Sequence, residues 1–282
     1  MRIRQAFTFA VAAAALICAS AEAVEIRNVP VVTQIQGVTF YRTSMTISNG
    51  NPTITTPVEM LFSYRSPADG SFQLTTLTLS PLGPHQVRFF DDIVQEFKNA
   101  GRIRAADVSL GLFGTLLVAF PALDIRREAE VVARTYSAAP GGGTLGFSYQ
   151  ALCFDCAGSQ FPIFGAGRSG SVFGNDGSTR ANLGIINQGF GPTDVRITYY
   201  NGDTGAQLKQ FLLSTVPGGH LLEENEVFQL NNIFNDPAIP SNVHTLEIQV
   251  EATGGSENYV SAYIVQLDNT TQDGSFFYLF EE

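Results

Sequence analysis

The feature that most constrains the fold of this chain is a strand that occurs twice. Arg42-Thr43-Ser44-Met45-Thr46-Ile47-Ser48-Asn49 returns in the second half as Arg180-Ala181-Asn182-Leu183-Gly184-Ile185-Ile186-Asn187. Arg, a small residue, Met or Leu, Ile and Asn keep their places. Val58, Tyr64, Asp69-Gly70, Leu77, Pro81, His85 and Phe97 follow the first copy. Val195, Tyr200, Asp203-Thr204-Gly205, Leu213, Pro217, His220 and Phe234 follow the second in the same order. The match continues from Ala133-Arg134-Thr135-Tyr136 to Val260-Ser261-Ala262-Tyr263, and from Gly143-Thr144-Leu145-Gly146-Phe147 to Gly274-Ser275-Phe276-Phe277-Tyr278. Self-similarity on this scale predicts two copies of one structural unit, with small loop insertions between matched positions.

Each copy reads as strand almost throughout. Thr43, Met45 and Ile47 alternate with polar neighbours, as do Leu77 and Leu79, and later Leu246, Ile248 and Val250. Period two predicts antiparallel strands with one buried face. Asn49-Gly50, Asp69-Gly70, Asp176-Gly177, Asn201-Gly202, Gly218-Gly219 and Gly254-Gly255 punctuate the strands with residues that tolerate positive backbone angles. The expectation is all-β: two tandem antiparallel β-sandwich domains of about seven strands each. Each carries one short helix. Asp92 caps the first, with Ile93, Val94 and Phe97 on one face, Gln95 three residues after the cap and Gly101 at the end. Asn225 caps the second, over Val227, Phe228 and Leu230.

Before the first copy, Arg2 and Arg4 precede an apolar run from Ala6 to Cys18 and the small-residue site Ala21-Glu22-Ala23. That is the layout of a secretory signal peptide over residues 1–23. No later stretch reaches the roughly 20 apolar residues of a membrane-spanning helix. The mature chain is thus expected to be exported, to the periplasm, the cell surface or the medium, without a transmembrane segment. The first copy is assigned to residues 24–152 and the second to 179–282. Residues 153–178, rich in Gly and Ser, read as a linker, with Phe161-Pro162-Ile163-Phe164 packing against a neighbouring domain. The linker opens on Cys153-Phe154-Asp155-Cys156, which holds the two thiols left after signal cleavage and predicts a local disulfide between Cys153 and Cys156.

Charge divides the copies. Residues 24–152 hold 10 Lys and Arg against 10 Asp and Glu, whereas residues 153–282 hold 4 against 15. An acidic second copy repels phosphate, so nucleic acid is not expected as a partner. No catalytic, cofactor-binding or metal-ligating set emerges. Arg168-Ser169-Gly170-Ser171 lacks the glycine spacing of a nucleophile elbow, and the nucleotide and zinc motifs are missing. His85 and His220 fall at matching places, which points to packing, and His244 stands alone. Acidic turns at Asp176, Asp203, Glu223-Glu224-Glu226, Asp268 and Asp273 offer calcium-type oxygens without a spaced calcium loop. The chain has no Trp to serve as a sugar platform, leaving Tyr199-Tyr200 as the candidate.

One strand departs from its duplicate. Leu145, Phe147 and Tyr149 alternate with polar or small residues, but Phe276-Phe277-Tyr278-Leu279-Phe280 is apolar on both faces. Such a strand needs cover on both sides. The rest of the chain supplies it, or another protein or a second copy of the chain does; cover from within is favoured.

Arg-x-Asn-Leu-Gly-Ile-x-Asn, a Val-rich strand, Tyr-Asn-Gly-Asp-Thr-Gly and a Leu-x-x-x-Pro turn together resemble the repeat unit of secreted bacterial tandem β-sandwich proteins, which are immunoglobulin-like and of unassigned activity. The first copy departs from the pattern at Ser44 and Thr46. The resemblance brings no catalytic residues. Export, duplication and the lack of reactive constellations predict a non-enzymatic structural or protein-interaction module needing no cofactor. The alternatives are a glycan- or calcium-dependent binder and a hydrolase acting between the two domains.

Overall fold

A computed structural model describes residues 24–37, 39–123, 128–139, 141–153, 160–167, 179–189, 191–243, 245–253, 260–271 and 274–278. The first half contains β1 (Glu25–Gln36), β2 (Phe40–Asn49), β3 (Thr56–Arg65), β4 (Phe72–Leu82), β5 (Val87–Phe90), helix α1 (Ile93–Asn99), β6 (Leu112–Phe120), β7 (Ala129–Ala138), β8 (Thr144–Gln150) and the two-residue β9 (Leu152–Cys153). The second contains β10 (Gln160–Gly167), β11 (Thr179–Asn187), β12 (Val195–Asn201), β13 (Gln207–Leu212), β14 (Val227–Leu230), β15 (Thr245–Ala252), β16 (Val260–Asp268) and β17 (Gly274–Tyr278). Short 3-10 turns sit at Leu213–Thr215 and Ile233–Asn235. The chain is all-β with sandwich packing, and its strand pairs are antiparallel.

The pairing pattern occurs twice. In the first half one sheet runs β4-β3-β6-β1-β2-β7-β8, with β5 on β2 and β9 on β1. In the second half β13-β12-β15-β10 repeats the first four strands, and β14-β11-β16-β17 repeats β5-β2-β7-β8. The difference is a seam. Gln34↔Arg42, Ile35↔Tyr41 and Gln36↔Phe40 join β1 to β2, so the first half is one continuous sheet where the second is two.

The repeated motif owes its final Asn to the backbone. Asn49 Nδ2 donates to the carbonyls of Ile54, Leu82 and Gly83 at 2.8, 3.1 and 3.1 Å, and Asn51 N–H donates to its Oδ1 at 3.0 Å. Asn187 Nδ2 donates to Gly191, Leu222 and Glu223 carbonyls at 2.7, 3.0 and 3.1 Å, and Gly189 N–H donates to its Oδ1 at 2.9 Å. One buried amide in each half thus gathers three carbonyls where the strand ends, that of Leu222 also accepting from Thr193 N–H.

Helix α1 forms as its sequence dictates: Gln95 N–H donates to the Asp92 side chain at 3.1 Å, Ile93, Val94 and Phe97 are buried, and Gly101 follows the helix at φ +66. Gln95 does not close the reciprocal half of a capping box; its amide donates to Asn99 and accepts from Gln34.

Several expectations need correction. Val227–Leu230, expected as a second helix, is strand β14, and only the 3-10 turn at Ile233–Asn235 stands where α1 does. Alternating burial of Val227 and Phe228 on opposite faces outweighs the apparent helical spacing. Gln160–Gly167 is not linker: it is the strand β10, paired with β15 as β1 is with β6. Among the described residues each half therefore has eight strands of four residues or more in place of about seven. His85 does not match His220. Asn49 N–H donates to Gln86 and Asn187 N–H to Glu226, which aligns His85 with Asn225, both at positive φ (56 and 57). The late correspondences also slip: Met45↔Ala133 and Leu183↔Ile264 align Ala133 with Ile264, and the β8 and β17 registers then align Tyr149 with Phe277.

Candidate interaction surfaces

A strand shows one face to each side, and in β11, β14 and β16 both sides are covered. Ala181, Leu183, Ile185, Val260, Ala262 and Ile264 form one core with the buried face of β12 and β15. Ile186, Val227, Tyr263, Val265 and Leu267 project the other way and belong to the core of the first half. The sheet β14-β11-β16-β17 is therefore a middle layer, and β16 is buried at Val260, Ser261, Ala262, Tyr263, Ile264 and Val265 in succession.

At the centre of this contact lies an aromatic stack. Phe276 stacks on Tyr149, Tyr263 and Phe147 with centroids 4.7, 4.8 and 5.7 Å apart. Tyr263 lies across Gly184, where an added Cβ would sit 1.8 Å from its ring. Burial pushes the hydroxyls of Tyr149 and Tyr263 well above the usual phenol range. Tyr149 nonetheless spends its proton on the Val31 carbonyl.

At the edge of the contact a buried carboxylate collects donors. Glu226, 2% exposed, accepts from Arg65 Nε at 2.5 Å, Arg65 Nη2 at 3.0 Å and the backbone N–H of Glu223 at 2.9 Å. His220 Nε2 lies 2.7 Å from the same carboxylate and 2.9 Å from Arg65 Nε. Arg65 ends β3 and Glu226 precedes β14, so this pair ties the two halves together with charge-assisted, bidentate geometry.

Between the halves a cleft of about 360 Å³ opens on an apolar floor of Val31, Ile35, Phe113, Phe147, Val265 and Leu267. Tyr41, Arg180, Asn182, Gln229 and Asn231 supply polar groups around it. Arg180 is held by Asn269 at 2.6 Å, and Asn182 Oδ1 accepts from Asn232 N–H at 2.8 Å. These groups offer hydrogen bonds and apolar contact.

The same sheet face in the first half is exposed around β5. Register places Val87 and Phe89 of β5, Thr46 and Ser48 of β2, and Val132 of β7 on the side opposite the buried Met45, Ile47, Phe90, Val131 and Ala133. Val87 is 64% exposed, Phe89 63% and Val132 41%. Beside them Tyr136 lies between Arg42 and Arg134, whose guanidinium carbons stand 4.9 and 5.4 Å from its ring, and donates to Asp91 at 2.7 Å. Burial, then Asp91, raises its phenol to about 12.

The residues singled out from sequence meet different fates. Phe276 is not free for a partner, because the stack on Phe147 and Tyr149 half-buries it. For Phe277 and Tyr278 only the strand pairing is described, and Leu279 and Phe280 lie outside the described residues. Cys153 is described as backbone in β9 and Cys156 lies outside, as do His244, residues 168–178 and residues 1–23, expected as a signal peptide, so the expected disulfide has no structural account. Tyr199 is buried and Tyr200 half-buried toward Gln249, which leaves no two-ring platform. Asp268 closes a turn on the N–H groups of Thr270 and Thr271, which lower its carboxyl below the usual range. Among the described residues no three His, Cys, Asp or Glu converge on a metal-sized position, and no helix is long and apolar enough to cross a membrane.

Sequence reasoning missed the Val87-Phe89 face and the Arg65–Glu226 pair. The first had a signal, since Val87-Arg88-Phe89-Phe90 alternates like its neighbours; the second had none, since its partners lie far apart in the chain.

No family model matches the chain, and no curated protein does. Among solved structures it is similar to the apo form of the Pleurotus ostreatus lectin, at a TM-score of 0.22 and 12% identity over 92% of this chain and 76% of that one. It is similar also to the Pleurotus ostreatus lectin in complex with GalNAc, at a TM-score of 0.15 and 12% identity over 93% and 82%. Likeness at this level says nothing about ligand or activity.

Proposed function

We propose that the chain is an exported, non-enzymatic tandem of two β-sandwich domains, the second beginning at β10, that works as a protein-interaction module in the periplasm or outside the cell. One observation carries the reading. The sheet face that β14, β11 and β16 bury against the first half is left exposed in the first half at Val87 and Phe89 of β5 and Val132 of β7. An exposed apolar patch on a globular surface marks a contact site. The charge pattern fits a soluble exported protein, and the resemblance to secreted tandem repeats is in keeping with it.

Gently extracted mature protein is expected to run as an assembly in native mass measurements. Val87→Ser/Phe89→Ser is expected to reduce it to a monomer without changing its thermal midpoint. An assembly indifferent to that double substitution removes the reading. A second reading rests on the cleft between the halves, whose apolar floor and amide rim suit a small amphipathic ligand such as a glycan. Titration of a sugar panel against wild type and Phe113→Ala tests it.

A further inference from the structure

We infer that the exposed face of β5, β2 and β7 takes the same face of a second copy of this chain, with the two β7 strands running in opposite directions. This rests on the interaction-module reading and names its partner.

Alternation turns Glu130, Val132 and Arg134 of β7 to the side opposite the buried Val131 and Ala133. Thr46 pairs with Val132 on one neighbouring strand and with Phe89 on the other, so a largely apolar row crosses the sheet from β5 to β7. Glu130 lies on one side of that row and Arg134 on the other, about 13 Å apart at ~3.3 Å per residue. Arg42 has Asp91 at 2.9 Å, but Arg134 turns to the Thr144 carbonyl and the Tyr136 ring. Among the described residues neither Arg134 nor Glu130 has an ion-pair partner. The second half treats the same positions differently. Strand register aligns Glu130, Val132 and Arg134 with Ser261, Tyr263 and Val265, all buried and none charged. The face covered within the molecule carries no charge at these places, while the exposed one keeps a pair of opposite sign about an apolar centre.

That pair selects both the occupant and its orientation. A second copy laid face to face with its β7 reversed sets Glu130 over the partner's Arg134 and Arg134 over the partner's Glu130, while Phe89 and Val132 meet their own counterparts along the two-fold axis. Stacked with β7 in the same direction, Glu130 meets Glu130 and Arg134 meets Arg134, and like charges across a contact are penalised. An axis along β2 instead buries Glu130 against Val87, since both stand opposite Ser48. In the reversed arrangement the surface is complementary to itself, as a two-fold interface requires. Packed sheets stand about 10 Å apart, which leaves room for the interdigitating side chains of both faces. Each copy uses the same patch, so the contact closes at two.

The test is the mass of the purified chain by sedimentation velocity over about a hundredfold range of concentration. A plateau at twice the monomer is expected. Glu130→Arg and Arg134→Glu each set like charges across the contact twice, and each is expected to weaken dimerisation about tenfold or more with an unchanged circular dichroism spectrum. Mixing the two variants in equal amounts restores the dimer, because one brings two basic positions to the contact and the other two acidic ones. A misfolded variant cannot be rescued in this way. Glu130→Arg/Arg134→Glu in a single chain restores it as well. A monomer throughout, a mass that climbs past two copies, or single variants that fail either to weaken the dimer or to rescue each other overturns the inference. The interaction module survives such a result if the native extract still holds an assembly that Val87→Ser/Phe89→Ser takes apart, its partner then being a different protein; it falls too if that assembly is indifferent to the double substitution.

Discussion

At the residue scale the two halves diverge by compensating pairs. Thr46 faces Val132 across β2 and β7, while Gly184 faces Tyr263 across β11 and β16. The larger ring of Tyr263 needs the space a missing Cβ leaves, and its stack on Phe276 keeps it from swinging aside. Gly184→Ala is therefore expected to cost about 1–3 kcal/mol in urea unfolding, the range for overpacking a tight core. Adding Tyr263→Val, which restores the small partner found in the first half, is expected to return part of that loss in a double-mutant cycle. The Gly and Thr were visible in the sequence as a departure from the repeat. Their partners were not, because pairing was matched four residues out of register in that strand. The conserved role of the last Asn was likewise legible as identity but not as chemistry: only the fold brings the Ile54, Leu82 and Gly83 carbonyls to one amide.

At the element scale, burial on both faces sets β16 apart. It pairs with β11 and β17 and presents side chains to two cores. Its central amides are expected to exchange with deuterium only through global unfolding, while those at the edges formed by β4 and β13 exchange through local opening. Equal protection across these strands would sink that ranking. Alternation made β2, β4 and β15 readable in advance, since each has one polar face. It failed at β14, where four residues carry both a periodic apolar pattern and a cap-like Asn, and at β10, whose glycines imitate a connection. Short strands buried by neighbours distant in sequence leave little local trace.

At the scale of the whole molecule, stability depends on the contact between halves. Arg65→Ala strips the cationic partner from the buried Glu226 and is expected to destabilise the protein by about 2–5 kcal/mol, with Glu226→Gln as a second substitution recovering part of it in thermal melts. Alkali offers an independent check. The phenols of Tyr136, Tyr149 and Tyr263 are raised in the folded state, so their contribution is complete below the ordinary value near pH 10 and is lost as pH rises toward 12. Urea midpoints are expected to fall over that window, with a shallower fall in Tyr149→Phe. The duplication and the all-β class could be read from the sequence. The docking of the halves was legible only at Phe276, whose strand was expected to be covered from within; its other residues look like the ordinary inner face of any strand.

The middle layer has a bearing on how the chain is made. Residues up to 153 leave the ribosome first, but their core includes Ile186, Val227, Tyr263, Val265 and Leu267, all made later. Until then Phe147 and Tyr149 have each other but not the Phe276 ring that stacks on both. A chain cut before β16 is therefore expected to leave the first-half core incomplete, and to be cleaved faster than the full chain in limited proteolysis.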